Sequence, residues 1–436
     1  MGAKINHMFH WLREAWLVLG VTFALLLLVE LVLSVAFVCK DAFWEDAPAV
    51  DRRAFADTYK HAPWPKQYYE EFMDANHAHW VPYVYWRHNP YEGQFISIDS
   101  HGVRKTWHPG FEQPDRPVGP TVFFLGGSTL WGIGARDDFT IPSLTAKGLA
   151  KKGIHAQVVN FAESGYVSTQ EVVLLLRELQ KGHMPDVVVF FDGANDTYSA
   201  YQHHIAGIPL NEFNRAREFN SCKLLPKKSC WQAFADKLAI TRFVRLLARA
   251  SGFSKTKKAS VTPGNSPHQP LANREGLEIP DIGVLTRDVV DIYIKNMQIV
   301  HALAEHYDFT ALFYWQPIIF EKSHLTAYEV KEQHRRAYMA PFFNRTYHAV
   351  RQSLTANSEP AFHDLSVLFS DVSEPLFVDW CHLGERGNAF VAEKIAADIL
   401  LILGNQGPGK SRAAVGSRST APMGRPQETD HEDTAD

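Results

Sequence analysis

Cysteine is scarce in this chain, with four residues in 436, at positions 39, 222, 230 and 381. There is no paired CxxC and no HExxH, and the 21 histidines are scattered. The common sequence signatures of a zinc site are therefore missing, and neither a metal nor a cofactor is expected. Excess positive charge is also missing: 44 Lys and Arg against 48 Asp and Glu leave a net charge of −4. Nothing electrostatic points to nucleic acid as a partner. No internal repeat is evident, which argues against a solenoid or propeller. General disorder is excluded by a composition that is 46% hydrophobic and 21% charged, an ordinary globular balance.

What is present begins with a long apolar run, "LVLGVTFALLLLVELVLSVAFVC", from Leu17 to Cys39. It is long enough to cross a hydrocarbon core of roughly 30 Å. Lys4 and Arg13 precede it, while Lys40, Asp41, Glu45 and Asp46 come after it. Basic residues favour the cytoplasmic side, so residues 1–16 are expected on the cytoplasmic side of the inner membrane and everything after Lys40 in the periplasm or outside the cell. A cleaved signal peptide is the competing reading, weakened by the length of the run and by a poor small-x-small site in "SVAFVCKDAF". Cys39 lacks the small residues before it that a lipoprotein site requires. Glu30 inside the run is either protonated or reaching a headgroup, or else a contact for another membrane helix.

Residues 40–118 are rich in aromatics and prolines and read as an irregular lead-in packed on the main domain. Within it, "FISIDSHGVRKT" alternates well enough for a strand ending in a turn at His101-Gly102. A regular rhythm occupies 119–404. Apolar runs at 121–127, 156–162, 186–193, 309–317 and 361–366 alternate with amphipathic stretches such as "STQEVVLLLRELQKG". Strands apolar throughout and separated by helices imply a parallel sheet covered on both faces. The expected fold is an α/β three-layer α/β/α sandwich, flavodoxin-like, with its site at the carboxyl ends of the strands. An insertion at about 203–285 breaks the rhythm. It carries Cys222 and Cys230 in "NSCKLLPKKSCW", where a disulfide and two free thiols are the alternatives. It continues with an amphipathic helix, "WQAFADKLAITRFVRLLARA", and a polar Pro/Ser/Lys-rich piece. The tail 405–436 has almost nothing to bury and is expected to be disordered.

Each strand end carries chemistry. Gly126-Gly127-Ser128 ends the first run, Gly165 comes after the second in "NFAESGY", and Asn195 after the third in "DGAND". Late in the chain, "FVDWCHLGERGN" sets Asp379 three residues before His382. Taken alone, Ser128 reads first as an N-cap. A phosphate loop is disfavoured, because this stretch has no lysine at the P-loop position. As a nucleophile, the hydroxyl needs a base, which His382 can supply with Asp379 orienting its ring. Acyl transfer also needs donors for the oxyanion, which Gly165 and Asn195 offer. Cys381, between Asp379 and His382, reads as a buried small residue.

Serine, glycine, Gly-x-Asn and Asp-x-x-His in this order resemble the SGNH hydrolase superfamily, also called GDSL-like esterases. The anchor and "GARDDFTIPS" are similar to a membrane-anchored bacterial branch of it. The resemblance implies Ser128 as nucleophile, His382 as general base and then acid, and Asp379 as its orienter. It implies an oxyanion hole of Ser128 N–H, Gly165 N–H and the Asn195 side chain. One departure is Gly127, where many members carry aspartate. Trp131, Arg136 and Asp138 come shortly after the nucleophile and are candidates for lining the pocket, with packing and surface pairing as the alternative. The implied activity is cleavage or transfer of an O-acyl ester, with acetyl favoured, on an acylated carbohydrate or lipid, by a protein held to the bilayer. The alternatives are an O-acyltransferase of envelope polysaccharide and a non-catalytic glycan-binding envelope protein that keeps the fold.

Overall fold

The computed structural model describes residues 2–43, 50–108, 119–224, 279, 281–356, 359 and 361–405. Helix α1 (Gly2–Phe43) is 42 residues long. Its stretch Arg13–Phe37 is long and apolar enough to cross a membrane, and none of it is buried in the protein. Next are α2 (Pro65–Ala75), a hairpin of β1 (Ala78–Val81) and β2 (Tyr85–His88), and the short pair β3 (Tyr91–Glu92) and β4 (Ser97–Ile98). The main layer begins with β5 (Thr121–Gly126), α3 (Ser128–Trp131), α4 (Ile141–Lys151), β6 (Gln157–Asn160) and α5 (Ser168–Gln180). Then come β7 (Val187–Asp192), α6 (Ala194–His203), α7 (Glu212–Leu224), α8 (Ile282–Tyr307) and β8 (Thr310–Trp315). The last elements are α9 (Ala327–Arg335), α10 (Ala340–Ala356), β9 (Phe362–Asp364) and α11 (Glu385–Asn405).

Five strands pair in parallel in the order β6-β5-β7-β8-β9. Counted along the chain this is the 2-1-3-4-5 order of flavodoxin-like sheets. All six residues of β7 are buried, as the unbroken apolar run requires. Side chains alternate across the sheet, and the two faces fill different cores. Val122, Phe124, Val189 and Leu312 pack with Leu149 of α4 and Ile395 of α11. Phe123, Val188, Phe190 and Phe313 pack with Leu175 of α5, Val289 of α8 and Phe343 of α10. The expected three-layer sandwich is the fold observed.

The lead-in is more regular than its sequence suggests. Tyr68, Tyr69, Phe72 and Ala75 are buried on one face of α2, with Pro65 in its first turn. They join the same core as Val122 and Trp131. The i, i+1, i+4, i+7 spacing is helical, but eleven residues between prolines and aromatics hide the period. The expected strand near residue 97 shrinks to Ser97–Ile98. After the turn at Gly102 (φ +75°), Arg104 bridges to Ile98 and to Asn160 of the sheet. Within the insertion α7 is described, whereas Cys230, the expected disulfide partner of Cys222, and the helix expected after it lie outside the described residues. So does the tail beyond Asn405.

Candidate active site

Three strand-to-helix corners and one late loop meet above the carboxyl end of the sheet. At the first corner the chain leaves β5 through Gly127 and enters α3, whose first residue is Ser128. Ser128 is therefore inside the helix, and its side chain does not cap the next turn. Its Oγ lies 2.7 Å from His382 Nε2. His382 Nδ1 lies 2.7 Å from Asp379 Oδ2 and 2.9 Å from Oδ1. This contact joins a serine and a histidine 254 positions apart. The ring is thereby bridged between hydroxyl and carboxylate, which requires the tautomer with its proton on Nδ1 when Nε2 accepts from Ser128.

Asp379 also orders its own loop, as Oδ1 accepts the N–H groups of Cys381 (3.0 Å) and His382 (2.9 Å). Burial by itself would raise this carboxyl. The His382 imidazole, its hydrogen bonds and the nearby Arg53 guanidinium overcome that and hold it well below the usual carboxylate range. The loop is clamped from outside. Glu329 of α9 accepts the N–H groups of Leu376 (3.0 Å) and Phe377 (3.1 Å). The other oxygen of Glu329 pairs with Lys322 at 2.7 Å, both side chains fully buried. Tyr328 O–H donates to Val378 O (2.7 Å).

The residues expected to donate to an oxyanion stand at the strand-to-helix corners after β5, β6 and β7. Gly165 has φ +79° in the turn after β6, a conformation that only glycine adopts without strain. A Cβ there would also meet Leu210 at 3.2 Å and Trp86 at 3.5 Å. Among the described residues no acceptor is recorded for the N–H of Ser128 or of Gly165. Asn195, in the first turn of α6, donates one amide hydrogen to Tyr166 O at 2.8 Å. The same Nδ2 is what a Cβ on Gly127 would strike. A side chain at position 127 would have to displace the Asn195 amide from this place.

The three further pocket candidates fall elsewhere. Trp131 is fully buried, stacked on His88 at 4.6 Å with Arg104 4.3 Å over its ring, so it is core. Arg136 forms a two-pronged pair with Glu385, at 2.7 and 2.9 Å, that ties the loop after α3 to α11. Asp138 is half exposed, 3.8 Å from Lys147. Cys381 is a buried free thiol whose pKa burial pushes up, which makes it a poor nucleophile. With Asp379 and His382 it forms a group whose ligand atoms lie within 4.8 Å of one another. A metal there would take Nδ1 from Asp379 and dismantle the bridge to Ser128, so the donors do not fit a working metal.

Several residues around the site carry no signal in the sequence. Glu163, fully buried two residues before Gly165, accepts the N–H groups of His88 (2.9 Å) and Ser164 (2.8 Å). Trp86 donates to Ser164 O at 2.8 Å and braces the glycine turn from the lead-in hairpin.

No family model matches this chain, and no curated protein matches it. This chain is similar to several solved structures over about two thirds of its length. One is an acetyl xylan esterase, 18% identical, with 64% of this chain and 99% of that one covered and a TM-score of 0.33. A lipolytic protein of the G-D-S-L family from Veillonella parvula is 9% identical, with 64% and 98% covered and a TM-score of 0.35. An acetylxylan esterase from Geobacillus stearothermophilus is 13% identical, with 65% and 94% covered and a TM-score of 0.30.

Proposed function

We propose that this protein is a membrane-anchored serine esterase of the SGNH type, acting on an O-acyl ester through a covalent acyl-enzyme. The observation that carries the reading is the continuous contact from Ser128 Oγ through His382 to Asp379, 2.7 Å at each step. Ser128 Oγ attacks the ester carbonyl while His382 Nε2 takes its proton. Asp379 stabilises the imidazolium that forms. The N–H groups of Ser128 and Gly165 and the free amide hydrogen of Asn195 receive the oxyanion, each such donor being worth about 10²–10³ in rate. His382 then protonates the leaving alkoxide. Water, activated by the same imidazole, cleaves the acyl-enzyme, and an acceptor hydroxyl in place of water would make the protein an O-acyltransferase. The α1 stretch Arg13–Phe37 supplies the anchor, and the basic residues before it favour a catalytic domain on the outer face.

The test is labelling of the full chain with a fluorophosphonate and turnover of short-chain p-nitrophenyl esters. Wild type is expected to label and to turn over, and Ser128→Ala to do neither. A folded wild type that fails at both removes the esterase reading. A reporter fused after residue 404 tests the topology, and reporter activity in the cytoplasm would reverse it.

A further inference from the structure

Asp379 has a second charged neighbour, and it comes from the lead-in. Arg53 lies in the short turn Arg52–Phe55, more than three hundred residues before Asp379. Its Nη1 is 3.7 Å from Asp379 Oδ2, the same oxygen that His382 Nδ1 contacts. The guanidinium itself is held on three sides. Asp51 takes it through Nη2 at 2.7 Å and Nε at 3.1 Å, and the Tyr69 and Phe72 rings lie 5.0 and 5.3 Å from its centre. Only 16% of the side chain is exposed. Asp51 also accepts the backbone N–H of Arg53 at 2.9 Å, so the turn that presents the arginine is built by the carboxylate that orients it. A loosely held surface arginine would leave Asp379 free to turn. An arginine fixed by a carboxylate and two ring faces gives the aspartate a stationary cation.

We propose that Arg53 is a positioning residue of the catalytic site. It neutralises and fixes Asp379 through Oδ2, so that the carboxylate holds the His382 ring in line with Ser128. The charged chain thus runs Asp51–Arg53–Asp379–His382, and the lead-in is part of the machinery. The physical reason is that Asp379 is buried, with 8% of its side chain exposed, and a buried carboxylate needs a partner to stay ionised. His382, which takes up and returns a proton in the proposed cycle, cannot be that partner throughout. Arg53, always charged, can.

This inference rests on the esterase reading, and the experiment separates the two. Arg53→Gln and Arg53→Lys are made in the full chain and compared with wild type, Asp379→Asn and the Arg53→Gln/Asp379→Asn double variant. For Arg53→Gln, kcat is expected to fall about 10–100-fold with KM nearly unchanged, since Arg53 acts on the rate through Asp379. Arg53→Lys, which keeps the charge but not the two-pronged hold on Asp51, is expected to regain only part of the loss. The double variant is expected to lose no more than Asp379→Asn alone, as members of one unit are not additive. Wild-type kcat in folded Arg53→Gln, or full additivity in the double variant, overturns the proposal. Should wild type lack Ser128-dependent turnover, the esterase reading falls. The unfolding midpoints of wild type, the two single variants Arg53→Gln and Asp379→Asn, and their double variant then decide the Arg53–Asp379 pairing: coupling upholds it and additive shifts overturn it.

Discussion

Two sets of buried carboxyl groups in this domain are shifted in opposite directions. Asp379, on the late loop, is an anion kept well below the usual range despite its burial, by His382 and Arg53. Near the Asn195 corner lie Glu171, Asp192 and Asp196, all buried and all pushed upward by burial, with the charge of neighbouring carboxyls adding to the strong shifts of Glu171 and Asp192. Among the described residues no Lys, Arg or His pairs with these three. Asp196 is eased by donors, accepting from Ser168 N (3.0 Å) and Oγ (2.6 Å). The difference teaches that depth does not decide which way a carboxyl shifts here. A cation within reach does. Asp379, with Arg53 beside it, is connected to Ser128, while Glu171, Asp192 and Asp196 have no such cation and burial shifts them upward.

The strongest way to break this comparison is to remove the charge at Asp379. Asp379→Asn keeps the shape, yet it removes the acceptor that fixes the tautomer of His382, and kcat is expected to fall by about 10³–10⁴. Ester turnover measures it, and a fall of less than roughly tenfold would mean that the anion is not needed. Next in size is Lys322→Met, which strands the buried Glu329 that clamps Leu376 and Phe377. A loss of about 3–5 kcal/mol in unfolding free energy is expected, read by denaturant titration, because an uncompensated buried charge remains.

The finest test compares stability against pH. With its folded pKa raised, the Glu171–Asp192 pair holds a proton that the unfolded chain gives up near pH 4. Stability from this source is lost as pH rises, by about 1.4 kcal/mol per pH unit for one proton. Asp192→Asn is expected to gain on wild type as pH rises above about 4. Asp379 has the opposite sign. Its folded pKa is lowered, so its contribution is complete at neutral pH and is lost as pH falls below about 4. Asp379→Asn should therefore lack that acid-side loss. Parallel profiles for the two variants would erase the distinction between the two sets.

Much of this arrangement is legible in the residues alone. The five strands are readable because a parallel strand covered on both faces must be apolar at every position, and Val187–Asp192 is buried throughout. Ser128, Gly165, Asn195, Asp379 and His382 are readable because each stands at a strand end or before a helix. Trp131, Arg136 and Asp138 are pocket candidates only by nearness in sequence to Ser128. A helical turn, however, sends neighbours in different directions, and they go to the core, to Glu385 and to the surface. Helix α2 escapes a sequence reading because its few turns carry a buried face too short to reveal its period.

The sequence by itself determined the layers, since apolar periodicity is a local property that selects the element and its buried face. It also determined which side chains could do acyl chemistry, since hydroxyl, imidazole and carboxylate are properties of residue type. Only the tertiary structure decided charge and alignment. Whether a carboxyl is ionised depends on cations brought close from distant segments. Arg53 reaches Asp379 and, among the described residues, no such cation reaches Asp192, and no local pattern records either fact.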